Sequence, residues 1–286
     1  MVKPLDANST YSTDSVEWKR LVSEYGSGSG ANLERFKNAY GGGSTLEISS
    51  SLANYNIYTM LGSPTSPVNV TLTIPNGVTV SSNSAATAAL DTGNLPAGST
   101  VTIINNGSIL GAGGIGGAGA NGGNVSGNPG GIGGDGGSAI SLSSSLTVSI
   151  DNTNGYIFGG GGGGGGSGSC TGIGQNYAGC GGGGGAGAIV GAGGPAGFGS
   201  VVNGNPGAAG TSLVGGSGGT WPNIQCQGIG GTGGAPGSPG DPGSYTGAAS
   251  GSVGPGGPAG KAISLNGNTI TWTGGNDATR VKGAVN

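Results

Sequence analysis

The chain has 286 residues, of which 75 are glycine and only 7% are charged, with a formal net charge of −3. Eight Lys and Arg are too few for a basic patch, which argues against nucleic acid and anionic membranes as partners. No histidine is present, so a Ser–His–Asp or Cys–His catalytic set cannot be built.

The first 30 residues, MVKPLDANSTYSTDSVEWKRLVSEYGSGSG, lack the apolar stretch of a signal peptide. No run of about 20 apolar residues follows that could cross a membrane. The expectation is therefore a chain made in the cytoplasm, with no membrane insertion. Helical spacing is confined to residues 13–40. Trp18, Leu21, Val22 and Tyr25 fall on one helix face, and Leu33, Phe36 and Tyr40 fall on another. Each helix is too short to be stable alone and must pack on the rest of the chain or on a partner. We read residues 1–45 as an attachment segment whose apolar surface is Trp18, Leu21, Val22, Phe36 and Tyr40.

From Thr45 the period changes to two. TLEISSSL, VNVTLTIP, VTVSS and STVTIINNGSIL alternate apolar and polar residues, with turns at SPTSP, PNG and LPAGS, which predicts short strands with one buried face over 46–110. An internal repeat follows. Ala89-Leu90 with STVTIINNGSILGAGG recurs from Ala139 as AISLSSSLTVSIDNTNGYIFGGGG and again from Ala262 as AISLNGNTITWTGG. A unit that cannot bury its own face must stack on its copies, so these predict β-rungs, the last closing the array within 261–286.

Residues 111–260 hold most of the glycine, and their only charges are Asp135, Asp151 and Asp241. A globular core is excluded for want of large side chains. Disorder, a collagen triple helix and a bundle of extended glycine helices remain. From Gly113 the sequence runs in triplets, GGI, GGA, GAN, GGN, and after VSGNP as GGI, GGD, GGS. Collagen requires strict Gly-X-Y and far more proline than the 14 present. A three-residue period is that of a polyproline-II-type helix, which has no internal hydrogen bonds and must satisfy its backbone on neighbours or water. The fold class expected is mainly β and irregular: a polyglycine-II helix sandwich on short β-rungs, with a small N-terminal helical pair.

Between the glycine runs lie VSGNP (125–129), SGSCTGIGQNYAGC (167–180), FGSVVNGNPGAAGTSLV (198–214), TWPNIQCQ (220–227) and DPGSYTGAASGSV (241–253). Loops longer than a turn requires are commonly where function sits on a rigid scaffold. Tyr177, Trp221 and Tyr245 each lie in one beside small polar groups, Gln175 and Asn176, Asn223 and Gln225, and Ser244 and Thr246. That is the composition of adaptable recognition loops. The other reading is that the aromatics cap the ends of the glycine array. Three isolated aspartates make no catalytic pair, and GxGxxG matches occur here by chance. Cys170, Cys180 and Cys226 fit no metal spacing; they are loop fillers, or Cys170 and Cys180 form a staple. No enzyme, cofactor or metal is expected.

The GGIGGAGANGG and GGIGGDGGS triplets, the runs Gly159–Gly166 and Gly181–Gly185 and the polar-aromatic loops between them resemble the distal tail-fibre adhesins of T-even-like bacteriophages. The resemblance covers about 111–260. It implies a polyglycine-II bundle whose tip loops bind a bacterial outer-surface protein or glycan. It also implies a virion location, at a tail fibre or tail tip, and other phage tail proteins as partners through residues 1–45. The competing classes are a virion structural or decoration protein and an ice-binding glycine-rich protein.

Overall fold

The computed structural model describes residues 43–122, 128–172, 175–199, 202–220, 226–247 and 251–286. The expected helical pair at 13–40, with Trp18, Leu21, Val22, Phe36 and Tyr40, lies outside them. Among the described residues the chain is mainly β, and its one α-helix is the short α1 (Ile57–Met60).

The alternating segments stack as a three-sided parallel solenoid. The first sheet holds β1 (Ser44–Glu47), β4 (Asn69–Ile74), β7 (Thr100–Asn105), β10 (Thr147–Asp151) and β17 (Ile270–Gly274) in that order. The second holds β2 (Leu52–Ala53), β5 (Thr79–Ser81), β8 (Ser108–Leu110), β11 (Tyr156–Phe158) and β18 (Val281–Lys282). The third holds β3 (Tyr55–Asn56), β6 (Leu90–Asp91), β9 (Ile140–Ser141) and β16 (Ile263–Ser264), with Val285 bridged to Ile263. Every pairing in these sheets is parallel, and the apolar positions align from rung to rung, as in Leu72↔Ile103 and Ile103↔Ile150. These residues and Ile74, Val80, Ile109, Ile140, Ile157 and Ile263 fill the core at under 2% exposure. Strands of two to six residues suffice because each buries its inward side chains against the rungs above and below. The repeated AISL unit is thus the third-sheet strand of successive rungs.

Between the second and third sheets, the first rung turns at once from Ala53 to Tyr55. The third rung leaves at Leu110 and returns at Ile140; the fourth leaves at Phe158 and returns at Ile263. The glycine-rich chain is therefore two excursions from one corner. It forms ten segments: I (111–122), II (128–138), III (159–169), IV (178–188), V (189–199), VI (202–211), VII (214–220), VIII (230–235), IX (238–243) and X (251–261). Their bonds run between segments with a period of three. Gly114, Gly117 and Ala120 of I donate to the carbonyls of Gly161, Gly164 and Ser167 of III, so I and III are parallel. Gly160, Gly163 and Gly166 of III donate to Gly137, Gly134 and Gly131 of II, an antiparallel pair.

The bonding partners define the cross-section. Segment III bonds to I, II, IV, VIII, IX and X, and segment IV bonds to I, III, V, VI, VII and VIII. Each of the other eight has three or four such neighbours. The lattice that satisfies this has three layers: II-I-V, then X-III-IV-VI, then IX-VIII-VII. Segments III and IV are enclosed on all sides, which accounts for the glycine runs 159–166 and 181–185: a Cβ at any of these positions would overlap the backbone of a neighbouring segment. The perimeter segments keep one outward position per turn, filled by Ile115 (64% exposed), Ile132 (70%) and Asp135 among others. Solenoid and bundle share their ladders. Gly111 N–H donates to Phe158 C=O (2.8 Å), Gly159 to Lys282 (2.9 Å) and Ala139 to Lys261 (2.9 Å).

Two expectations change. The stretch 198–214 is not one loop. Within it Gly204, Gly207 and Gly210 donate to Gly197, Gly194 and Gly191, so 202–211 is a bundle segment. One glycine per triplet is enough there because VI lies on the perimeter. The Cys170–Cys180 staple is also corrected. Cys180 carries a free, fully buried thiol that accepts the Asn205 N–H (3.5 Å).

Candidate functional site

Segments I, III, V, VII and IX run outward from the solenoid corner, and II, IV, VI, VIII and X return. The connections I–II, III–IV, V–VI, VII–VIII and IX–X are consequently all made at one end, remote from the solenoid. The near-end turns are tight. Thr211 N–H donates to Val214 C=O (2.7 Å), and Ser238 N–H donates to Ala235 C=O (2.9 Å) with Gly237 at φ +69°. Three of the far-end connections, III–IV, VII–VIII and IX–X, are longer and carry strands of their own. An array held only by backbone needs no more than a turn at either end, so the surplus sequence at one end is not there for the scaffold.

At that end β12 (Cys170–Gly172) pairs antiparallel with β13 (Gln175–Tyr177), in the register Thr171↔Asn176 and Cys170↔Tyr177. This hairpin joins III to IV. A second antiparallel pair, β14 (Cys226–Ile229) with β15 (Ser244–Gly247), sets Tyr245 opposite Gly228. It ties the chain before VIII to the chain after IX, and β14 lies against β12. Gln175, Asn176, Tyr177 and Tyr245 thus share one end of the molecule, and the Tyr245 side chain is 40% exposed. Trp221, Asn223 and Gln225 lie outside the described residues, between Thr220 and Cys226.

Small polar groups close the segment ends beneath these strands. Ser167, fully buried, accepts the Cys180 N–H on its Oγ (2.8 Å). Asn121 Oδ1 accepts the Phe198 N–H (2.8 Å), and Asn128 Nδ2 donates to the Asn121 carbonyl (2.8 Å). Phe198, 72% exposed at the end of V, belongs to this end but was not among the expected site residues. Its signal was the triplet break at Phe198-Gly199-Ser200. The described residues of this end bear no formal charge; the nearest is Asp241 of IX, whose carboxylate accepts the Thr232 hydroxyl. Burial raises the Cys180 thiol above its ordinary range, against a smaller opposing effect of the Asn205 N–H, so it is not a nucleophile at neutral pH. Among the described residues no cluster of three or more His, Cys, Asp or Glu could hold a metal, and no helix is long and apolar enough to cross a membrane.

A three-sided solenoid bearing a glycine lattice with one elaborated, uncharged end offers a surface for binding. The model of the phage tail fibre adhesin Gp38 family matches residues 43–285. The chain belongs to that family. This adhesin therefore works in host attachment as part of a bacteriophage tail fibre, on the virion's tail. Its fold is similar to the gp37–gp38 adhesin tip complex of the bacteriophage S16 long tail fibre. The two are 24% identical over 82% of this chain and 80% of the other, with a TM-score of 0.48. No curated protein sequence matches the adhesin.

Proposed function

We propose that the far end of the bundle binds a receptor on the bacterial outer surface, an outer-membrane protein or a glycan, and that Gln175, Asn176, Tyr177, Trp221, Asn223, Gln225 and Tyr245 make the contact. The observation that carries this reading is the asymmetry of the turns: tight beside the solenoid, with three long, aromatic-bearing connections at the remote end. Tyr and Trp supply contact area at low entropic cost, and the amides offer both donors and acceptors. An uncharged tip makes such binding only weakly dependent on salt. The scaffold is a polyglycine-II sandwich. The period of three, the bonds made only between segments and the glycine runs of the enclosed segments support that assignment. The protein acts without catalysis or cofactor, is made in the host cytoplasm, and docks on other phage tail proteins through residues 1–45, where Trp18, Leu21, Val22, Phe36 and Tyr40 supply the apolar surface.

The test is competition. Purified protein is added to susceptible cells before phage, and adsorption is counted. Blocking by the full chain and by a 1–42 deletion supports tip binding. Incorporation of the full chain alone into particles supports the N-terminal assignment. Unimpaired adsorption at saturating protein rules out the receptor reading.

A further inference from the structure

We infer that this adhesin carries a second binding surface, on the outer face of the solenoid's second sheet, for the acidic sugars of a bacterial surface polysaccharide. Tyr156 stacks on a sugar ring, and Arg280 and Lys282 take up its carboxylate. Only the direction in which the tip points is taken from the receptor reading above.

Strand alternation places these groups. Ile157 of β11 and Val281 of β18 pair in register and face the core, so Tyr156 and Phe158 on one strand and Arg280 and Lys282 on the next face outward. Lys282 pairs with Phe158, and its Nζ lies 4.8 Å from the centroid of that ring. The Tyr156 and Phe158 rings are 5.5 Å apart at 56°. Phe158 is nearly covered (8% exposed) and props Tyr156, which is 45% exposed. The Ile157 N–H donates to the Arg280 carbonyl (2.8 Å), which sets Arg280 beside Tyr156. Arg280 Nε meets Asp277 Oδ2 at 3.5 Å; among the described residues Lys282 has no carboxylate partner.

The same outward column holds hydroxyls in earlier rungs. Tyr156 pairs with Ser108, and Ser108 with Thr79. A solvent-facing column that is satisfied by Thr and Ser has no structural need of an exposed ring followed by a cation. Successive rungs lie about 4.8 Å apart, close to the length of one sugar in an extended chain. A saccharide laid across them meets two hydroxyls, then the Tyr156 ring, then the Arg280 guanidinium.

Charge selects the ligand. Lys261, Arg280 and Lys282, all on the last rung, are the only cationic side chains among the described residues; every other charged side chain there is a carboxylate. Two cations set against Asp277 leave one positive charge in excess, which suits a single sugar carboxylate and not a dense polyanion such as nucleic acid. The planar guanidinium fork matches a carboxylate with two parallel hydrogen bonds. Segment III spans 159–169, so at about 3.1 Å per residue the solenoid stands about 30 Å behind the tip. With the tip against the cell, lipid headgroups lie out of reach of this face, whereas polysaccharide chains extending from the surface pass it.

The test is titration calorimetry of the full chain with uronic-acid-bearing surface polysaccharide purified from a susceptible host, before and after its carboxyls are reduced to alcohols. The native polysaccharide should bind, and less tightly as salt rises. Carboxyl reduction, Tyr156→Ser, and Arg280→Gln combined with Lys282→Gln should each weaken binding at least about 10-fold, the least expected for losing a charge-assisted bond or its platform. Tyr156→Ser supplies the residue type that Ser108 provides one rung earlier, and melting temperature reports folding. The Arg280→Gln, Lys282→Gln pair keeps the test valid if Tyr156→Ser does not fold. No binding of the native polysaccharide, equal binding after carboxyl reduction, or parent-like binding by the folded variants overturns the second surface. A chain that binds polysaccharide as expected but fails to block phage adsorption overturns the tip reading alone.

Discussion

Gly163 shows what a position in this lattice permits. Its N–H donates to Gly134 C=O (2.8 Å), its own carbonyl accepts the Gly257 N–H (2.7 Å), and a Cβ there would overlap the backbone of Ile115. Replacing glycine by alanine often stabilises a protein by removing unfolded-state freedom. Here the obstruction is backbone on a third segment, which cannot turn aside. Gly163→Ala should cost about 3 kcal/mol, whereas Ile115→Ala, at an exposed outward position, should stay within about 0.5 kcal/mol. Urea midpoints of the two variants decide this. Asp151 and Asp277 sit at solenoid turns, and hydrogen bonds from the Thr153 and Thr279 hydroxyls first of all hold their carboxyls below the usual range. A depressed carboxyl stabilises the fold fully above its unfolded pKa and loses that contribution as pH falls through its folded value. An NMR titration should therefore find both midpoints below about 3.9, and Thr153→Val should raise that of Asp151. Cys180 works in the opposite sense: burial favours the thiol, and that contribution fades only as pH rises through its raised value. It should resist thiol reagents at pH 8 until the bundle is unfolded.

Among the elements, the solenoid rungs depend on a few buried amides as much as on their apolar ladder. Asn105 and Asn152 occupy equivalent corners of successive rungs and are fully buried. Asn105 Nδ2 donates to Asn152 Oδ1 (2.7 Å), Gly107 N–H donates to Asn105 Oδ1 (3.1 Å), and Asn152 Nδ2 donates to the Gly275 carbonyl (2.9 Å). One side chain thus links the fourth rung to the third and the fifth. Asn152→Ala leaves a buried amide hydrogen and a half-buried carbonyl without this partner, the buried group alone costing about 1–3 kcal/mol. The expected outcome is a loss of about 3 kcal/mol in a thermal or urea melt, with the receptor end still binding cells below the transition. A change under about 1 kcal/mol would mean that water replaces the amide.

For the whole molecule, shared ladders make solenoid and bundle one bonded body, and enclosure grades it from the inside out. Hydrogen exchange should be slowest for Gly160–Gly166 and Gly181–Gly185, whose segments are surrounded, and faster for X, VII and VI. Uniformly rapid exchange across 111–260 would be incompatible with the lattice. This grading also bears on function. A tip supported by a rigid array presents its loops in fixed relation, and because the bonding beneath is all backbone, those loops can change sequence without altering the array.

Much of this was legible before any coordinates. Strict alternation in VNVTLTIP and STVTIINN marks strands with one buried face, and the repeated AISL units mark stacked rungs, because both depend only on local period and on a face that must be covered. The triplets of 113–138 point to extended segments for the same reason. The eight-glycine run at 159–166 held a further message that counting triplets passes over: a segment with no side chain anywhere is one with neighbours all round. Which segments are those neighbours could not be read, since that depends on the order and direction in which ten segments fold back on one another, and glycine carries no side chain to encode its partner. The same non-local fact hid segment VI within an apparent loop and gathered Tyr177, Phe198 and Tyr245 at one end. Loop composition singled out the aromatics proposed for recognition; only the packing of the segments beneath them decided which connection stands over the two enclosed segments.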